Sequence, residues 1–177
     1  MHTQLSLSGS VLRKPLIALS LAVASLTGCA SITSVPTGTP VADILQQFGK
    51  PITVCEHPDG SKRLVWTSQP SGQFAWGANI SKAGTLEGTV QQILTDAHFN
   101  VLSEGKWTQQ QVLCEFGPPA NVEGVAKGNE IVWGYRYKQS SVWPSLMYVY
   151  FDSKGTQVTH FHPGPDPWAI GDGNRSR

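Results

Sequence analysis

Clustered positive charge is the first thing this sequence lacks. Thirteen lysines and arginines stand against twelve aspartates and glutamates, a formal net charge of +1. No basic stripe of the kind that grips a phosphate backbone is present, which argues against nucleic acid as a partner. The apolar run at residues 16 to 27 (LIALSLAVASLT) is too short for a helix across a bilayer, which needs roughly 18 residues. Cysteine is scarce, with three residues in 177. No glycine-rich phosphate loop follows a strand-like segment, and the carboxylates are scattered singly rather than paired for acid–base work. The chain is therefore expected to be no enzyme and to need no cofactor.

What is present at the amino terminus fits export. The apolar run matches the roughly 7 to 15 residues of a secretion signal, and Arg13 and Lys14 supply its positive flank. It ends in Leu26-Thr27-Gly28-Cys29, which resembles the lipobox of bacterial lipoproteins. That resemblance implies cleavage before Cys29, a diacylglyceryl group on its sulfur and an acylated new amino terminus. Residues 1–28 are then a lipoprotein signal peptide and residues 29–38 a lipidated tether, small and polar with one proline. Three acyl chains, at about 0.8 kcal/mol per buried methylene, anchor a chain durably. Ala30 stands where an aspartate tends to retain such lipoproteins in the inner membrane, so the resemblance implies the outer membrane, with the body facing the periplasm.

From Cys29 on, eleven basic residues face twelve acidic ones, and 149 residues remain. That length suffices for one ordinary domain burying close to 70% of its unfolded surface. Cys55 and Cys114 are the other two thiols. In an oxidising compartment they either pair or stay as two buried free thiols, and spacing alone does not decide between these.

The strongest internal pattern is an echo. Residues 44 to 54 read ILQQFGKPITV and residues 112 to 122 read VLCEFGPPANV. In each copy a threonine (Thr39, Thr108) stands at a helix start. Apolar residues follow at helical spacing, glycine (Gly49, Gly117) stops the helix, and proline lies just beyond. Strand-like alternation comes next. Leu64 and Trp66 share one face, as do Phe74, Trp76, Ala78 and Ile80, and in the second half Ile131, Trp133, Tyr135 and Tyr137. Residues 86 to 93 fit a strand, and a helix from Val90 fits the spacing too. The expected class is α+β: two tandem repeats of a short helix, or helix pair, plus a three- to four-stranded antiparallel sheet. The expected first repeat covers residues 39–94 and the second 105–162. Residues 95–104 connect them, and residues 163–177 form a Pro/Gly-rich tail.

The second unit, with its threonine-led helix ending in Phe116-Gly117-x-Pro119, its Trp/Tyr-rich strand and its Phe151-Asp152-x-x-Gly155, resembles the SmpA/OmlA (BamE-like) domain family of outer-membrane lipoproteins. The first unit resembles it more loosely. Gly105-Lys106-Trp107-Thr108 replaces the family's shorter Gly-Met-Thr turn. The tandem layout is similar in architecture to the β-lactamase inhibitor protein. These resemblances imply a protein-binding module of the cell envelope, with barrel-assembly components as the expected partners. An inhibitor or sensor lipoprotein docking onto a hydrolase through a tandem-repeat sheet surface is the alternative.

Few residues invite chemistry. His160 and His162 alternate around Phe161 and would face one way on a strand. They either share a metal with help from Asp166 or are plain histidines at a strand end, and no third ligand is fixed by spacing. Cys114 lies within a helix stripe with no His or Asn at a recognisable distance, so it is expected to be structural. The segment Leu146 to Phe151 is apolar on both faces. Its Tyr148 and Tyr150 face is either buried between the units or offered to a partner.

Overall fold

The computed structural model describes residues 31–125 and 129–171. The signal-like segment, Cys29, Ala30, residues 126–128 (with Gly128 of the expected turn) and the last six residues lie outside the described residues.

The body opens on α1 (Val41–Phe48), followed by β1 (Thr53–Glu56), β2 (Lys62–Thr67), β3 (Ala75–Ile80) and β4 (Leu86–Gln92). A short helix α2 (Asp96–Phe99) and a helical turn at Asn100–Ser103 lead to α3 (Gln109–Phe116). Then come β5 (Asn121–Val125), β6 (Glu130–Gln139), β7 (Trp143–Phe151), β8 (Val158–Pro165) and a final turn of helix, α4 (Pro167–Gly171). The strands form two four-stranded antiparallel sheets, each in sequence order. The class is α+β.

Local chemistry explains the helix boundaries. In α3, the Thr108 hydroxyl accepts a hydrogen bond from the Gln111 backbone N–H, and the Thr108 backbone N–H donates to Gln111 Oε1, a reciprocal cap. α1 differs from the expectation: Thr39 does not cap it. The Thr39 hydroxyl donates instead to the Pro36 carbonyl at 2.7 Å, and Pro40 occupies the cap position without a side-chain bond. The reason lies in the neighbouring sheet edge. Gly38 N–H donates to Leu86 O and Leu86 N–H to Thr39 O, so the segment before α1 satisfies the outer edge of β4. Val35 is buried there. The stretch read as a tether is thus docked on the first sheet from Ile32 on.

Residues 86–92 settle as a strand. The bland-looking connector does more than connect: Phe99 and Leu102 are buried in the larger of two cores. β1 and β5 are short edge strands for which the sequence pattern gave no alternation. The Pro/Gly-rich run read as a tail begins inside β8, whose pairing with β7 extends to Pro165 opposite Ser145.

Both sheets contribute to one core that includes α3. On its outer face the first sheet packs Leu64, Trp66, Ala78, Ile80, Leu86 and Val90 against Ile44 of α1. On the opposite face Val65 and Ala75 join Phe99, Val112 and Phe116, and the same cluster continues into Tyr135, Tyr137, Met147, Val149 and Phe151 of the second sheet. Phe116 therefore stacks on Phe99 at 4.8 Å and meets Tyr135 at 5.9 Å. A disulfide joins Cys55 on β1 to Cys114 on α3, with Cα atoms 5.7 Å apart and 59 residues of separation. Closing a loop of that length removes about 4 kcal/mol of unfolded-state entropy in the chain-entropy account.

The two glycine stops occupy different surroundings. Gly49 and Gly117 both have positive φ, 77° and 78°. A Cβ on Gly49 would meet open space, whereas one on Gly117 would sit 3.0 Å from Val65 Cγ1. Gly117 also presents its carbonyl to the Tyr135 hydroxyl at 3.0 Å. Alanine at either position carries the left-handed backbone cost, about 1 kcal/mol. At Gly117 overpacking adds about 1–3 kcal/mol. Gly117→Ala is expected to lower urea-unfolding stability by more than Gly49→Ala, and equal losses would show that α3 is not wedged against β2.

Candidate interaction surface

The second sheet has one face on α3 and one outer face, on which Val132 and Leu146 are buried and His160 and His162 exposed. Alternation along β6 sends Trp133, Tyr135 and Tyr137 inward and Val132, Gly134 and Arg136 outward. Register then fixes the outward set on the neighbours: Tyr150 opposite Val132, Tyr148 opposite Gly134, and His160 and His162 opposite Tyr150 and Tyr148. Tyr148 and Tyr150 thus point away from the first sheet, half-buried rather than enclosed between units.

These side chains form a ladder of rings. Tyr150 stacks on His160 with centroids 4.0 Å apart and planes 15° from parallel, and on His162 at 5.3 Å. Its hydroxyl lies 3.1 Å from His162 Nε2. Tyr148 is 5.6 Å from the His162 ring, and it fits over β8 because position 164 is glycine. A Cβ there would stand 2.7 Å from the Tyr148 ring. Burial, then the negative charge of Glu123, push the Tyr148 hydroxyl above its ordinary pKa. Rings already stacked on one another lose little freedom when a partner covers them, which suits them to an interface.

Arg136 closes one end of this face. Its Nε donates to Asp166 Oδ2 at 2.8 Å, and its Nη1 donates to the Ser71 carbonyl at 2.6 Å. Its guanidinium lies 4.7 Å from the centre of the Trp168 ring. Asp166 is fully buried, so this is a shielded pair rather than a surface one. Gln69, in the same β2–β3 loop as Ser71, bonds both the N–H and the carbonyl of Arg136. One arginine therefore ties the first unit's loop, the outer face and the segment after β8 together.

A second charged cluster lies inside, between α2, α3 and β2. Arg63 Nη2 donates to Glu115 Oε1 at 2.8 Å, and His98 Nε2 lies 2.6 Å from the same oxygen. Arg63 Nη1 reaches Asn79, while its buried Nε has no partner among the described residues. Gly77 makes room for this guanidinium, since a Cβ there would lie 2.5 Å from Arg63 Nη2. Burial pushes the Glu115 carboxyl up, but the His98 hydrogen bond and the charge of Arg63 outweigh it, so its pKa falls below the ordinary 4.5.

Of the expected site residues, Cys55 and Cys114 are bonded to one another, Tyr148 and Tyr150 share the outer face, and Cys29 lies outside the described residues. His160 and His162 belong to the ring ladder, and Asp166 faces Arg136 instead of them. Among the described residues no three His, Cys, Asp or Glu side chains gather closely enough to hold a metal ion. Sequence reading missed Arg136 and the Arg63–Glu115–His98 cluster. Arg136 carried a signal, a lone cation on the outward face of an aromatic-rich strand. The cluster carried none, because its members are 52 and 17 residues apart in pairs. No family model, curated protein or solved structure matches the chain.

The lowered carboxyl of Glu115 fixes a sign for pH dependence. A carboxylate whose folded pKa lies below its unfolded value stabilises the fold above about pH 4.5 and loses that contribution as pH falls through the folded value. Glu115→Gln is expected to cost about 3 kcal/mol at neutral pH by leaving Arg63 buried and unpaired. The difference from the parent should shrink below pH 4.5 in urea titrations, and a difference that stays constant to pH 3 would refute the assignment.

Proposed function

We propose that this chain is a lipid-anchored, non-enzymatic scaffold or binding protein of the bacterial cell envelope, working in outer-membrane assembly or integrity. In this reading Cys29 carries the lipid, and the docked segment from Ile32 leads from the membrane surface into the first sheet. The body is a tandem of two SmpA/OmlA-like (BamE-like) repeats, residues 39–94 and 105–162. The lipobox-like Leu26-Thr27-Gly28-Cys29 supports the anchor, and the paired helix-stop motifs support the repeat.

The observation that carries the binding role is the outer Tyr148–Tyr150–His160–His162 face. Its rings are held in register by the sheet and rigidified by stacking. His160 and His162 are exposed and the two tyrosines half-buried. Tyrosine on a rigid strand gives large contact area at low entropic cost. An inhibitor or sensor that docks onto a hydrolase through a surface spanning both repeats is the second reading, and the β2–β3 loop's bonds to Arg136 of the second sheet are what support it.

One experiment in cells tests both halves of the reading. The chain is labelled with radioactive palmitate and carries a photo-crosslinking residue in place of Tyr150. Label that disappears in Cys29→Ala, together with a crosslink to barrel-assembly subunits, is the expected result. No label, label that persists in Cys29→Ala, or a normally folded Tyr148→Ala, Tyr150→Ala variant that keeps every partner would contradict the proposal. A crosslink to a hydrolase would transfer support to the inhibitor reading.

A further inference from the structure

α1 is eight residues long and leaves part of its own sheet face uncovered. Between its Val41 and Leu45 and the strand residues Val54, Leu64 and Ile80 runs a cleft of about 500 Å³. That falls within the roughly 300–1,000 Å³ of small-molecule sites. The floor is apolar throughout. Val54, on the edge strand β1, remains 52% exposed, and Ile52, just before the strand, remains 65% exposed. Two aliphatic side chains left bare on a sheet edge are a liability that folded proteins usually cover. Two turns border the cleft where Gly60 and Lys82 come together.

The rim is cationic. Lys50, Lys62 and Lys82 line the opening, and no carboxylate does. Lys62 is engaged by Glu56 at 2.6 Å, whereas Lys50 and Lys82 form no ion pair among the described residues. Apart from these ammonium groups the lining offers a single side-chain hydroxyl, Ser81. A peptide laid in the cleft would leave backbone N–H and C=O groups facing aliphatic carbon, at a cost in unmade hydrogen bonds. An alkyl chain carries no such groups.

We propose that this cleft binds a free fatty acid with an alkyl chain of about a dozen carbons. The alkyl chain lies along Val54, Leu64 and Ile80, and the carboxylate meets Lys50 or Lys82 at the rim. The site stands on the face of the first sheet opposite α3, remote from the ring ladder on the second sheet, and does not depend on the envelope role.

The test is a fluorescence titration of the full chain carrying Cys29→Ala with 11-(dansylamino)undecanoic acid, followed by displacement with dodecanoate. Saturable enhancement that dodecanoate reverses is expected. Val54→Glu, at an already exposed position, should weaken binding about tenfold or more by placing a like charge beside the chain. Lys50→Gln with Lys82→Gln should weaken it about tenfold and abolish its salt dependence, as loss of a charge-assisted contact does. Val122→Glu, at a somewhat more exposed valine on β5, should leave it unchanged and serves as the control for general damage. Absence of saturation, equal losses in Val54→Glu and Val122→Glu, or displacement by neutral dodecanol as well as by dodecanoate would overturn the proposal. So would sedimentation of the chain with phosphatidylglycerol vesicles coupled with failure of dodecanoate to displace the probe, which would assign the cleft to a membrane surface.

Discussion

α3 is the piece that both sheets need. A four-stranded sheet with one short helix has a small core, and either unit alone would leave an apolar face in water. Here a single helix meets both. Cys114 and Glu115 engage β1 and β2 of the first sheet, while Val112 and Phe116 enter a cluster shared with Tyr135 and the interior of the second. Val65 on one sheet and Met147, Val149 and Phe151 on the other thereby belong to one continuous core. Removing a fully buried aromatic from such a place typically costs about 3–5 kcal/mol, a large share of the total stability of a domain this size.

Polar bonds repeat the same connection at the edges. The Cys55–Cys114 disulfide staples β1 to α3, and the Arg63–Glu115–His98 cluster joins β2, α3 and α2. At the other side, the β2–β3 loop reaches Arg136 of the second sheet through Gln69 and Ser71. With its inner face committed in this way, the second sheet can present its outer face, where stacked tyrosines and histidines stand ready without needing a further layer for stability. The first sheet is covered by α1 on its outer side, incompletely, and the uncovered portion is the lysine-rimmed cleft.

Period and punctuation made much of this readable before the structure. The inward set Trp133, Tyr135 and Tyr137 followed from alternation, and Gly49 and Gly117 marked helix ends because only a residue free of Cβ strain turns there cheaply. Other features were illegible for physical reasons. β1 and β5 are short edges without alternation, and Thr39 was claimed by a neighbouring strand edge rather than by its helix. Phe99 and Leu102 looked like connector residues, since their burial depends on a sheet that forms tens of residues later. The Cys55–Cys114 pairing and the Glu115 cluster are tertiary facts, set by how the sheets pack with α3 and written nowhere in local pattern.

Shared dependence on α3 can be measured by native-state hydrogen exchange on Phe116→Leu. Phe116 touches the interior between the sheets, so the slowest amides of β2 and β3 and those of β6 and β7 should lose protection together and by the same free energy. Loss confined to the second sheet, with β2 and β3 unchanged, would contradict the single-core account and show two independently stable units.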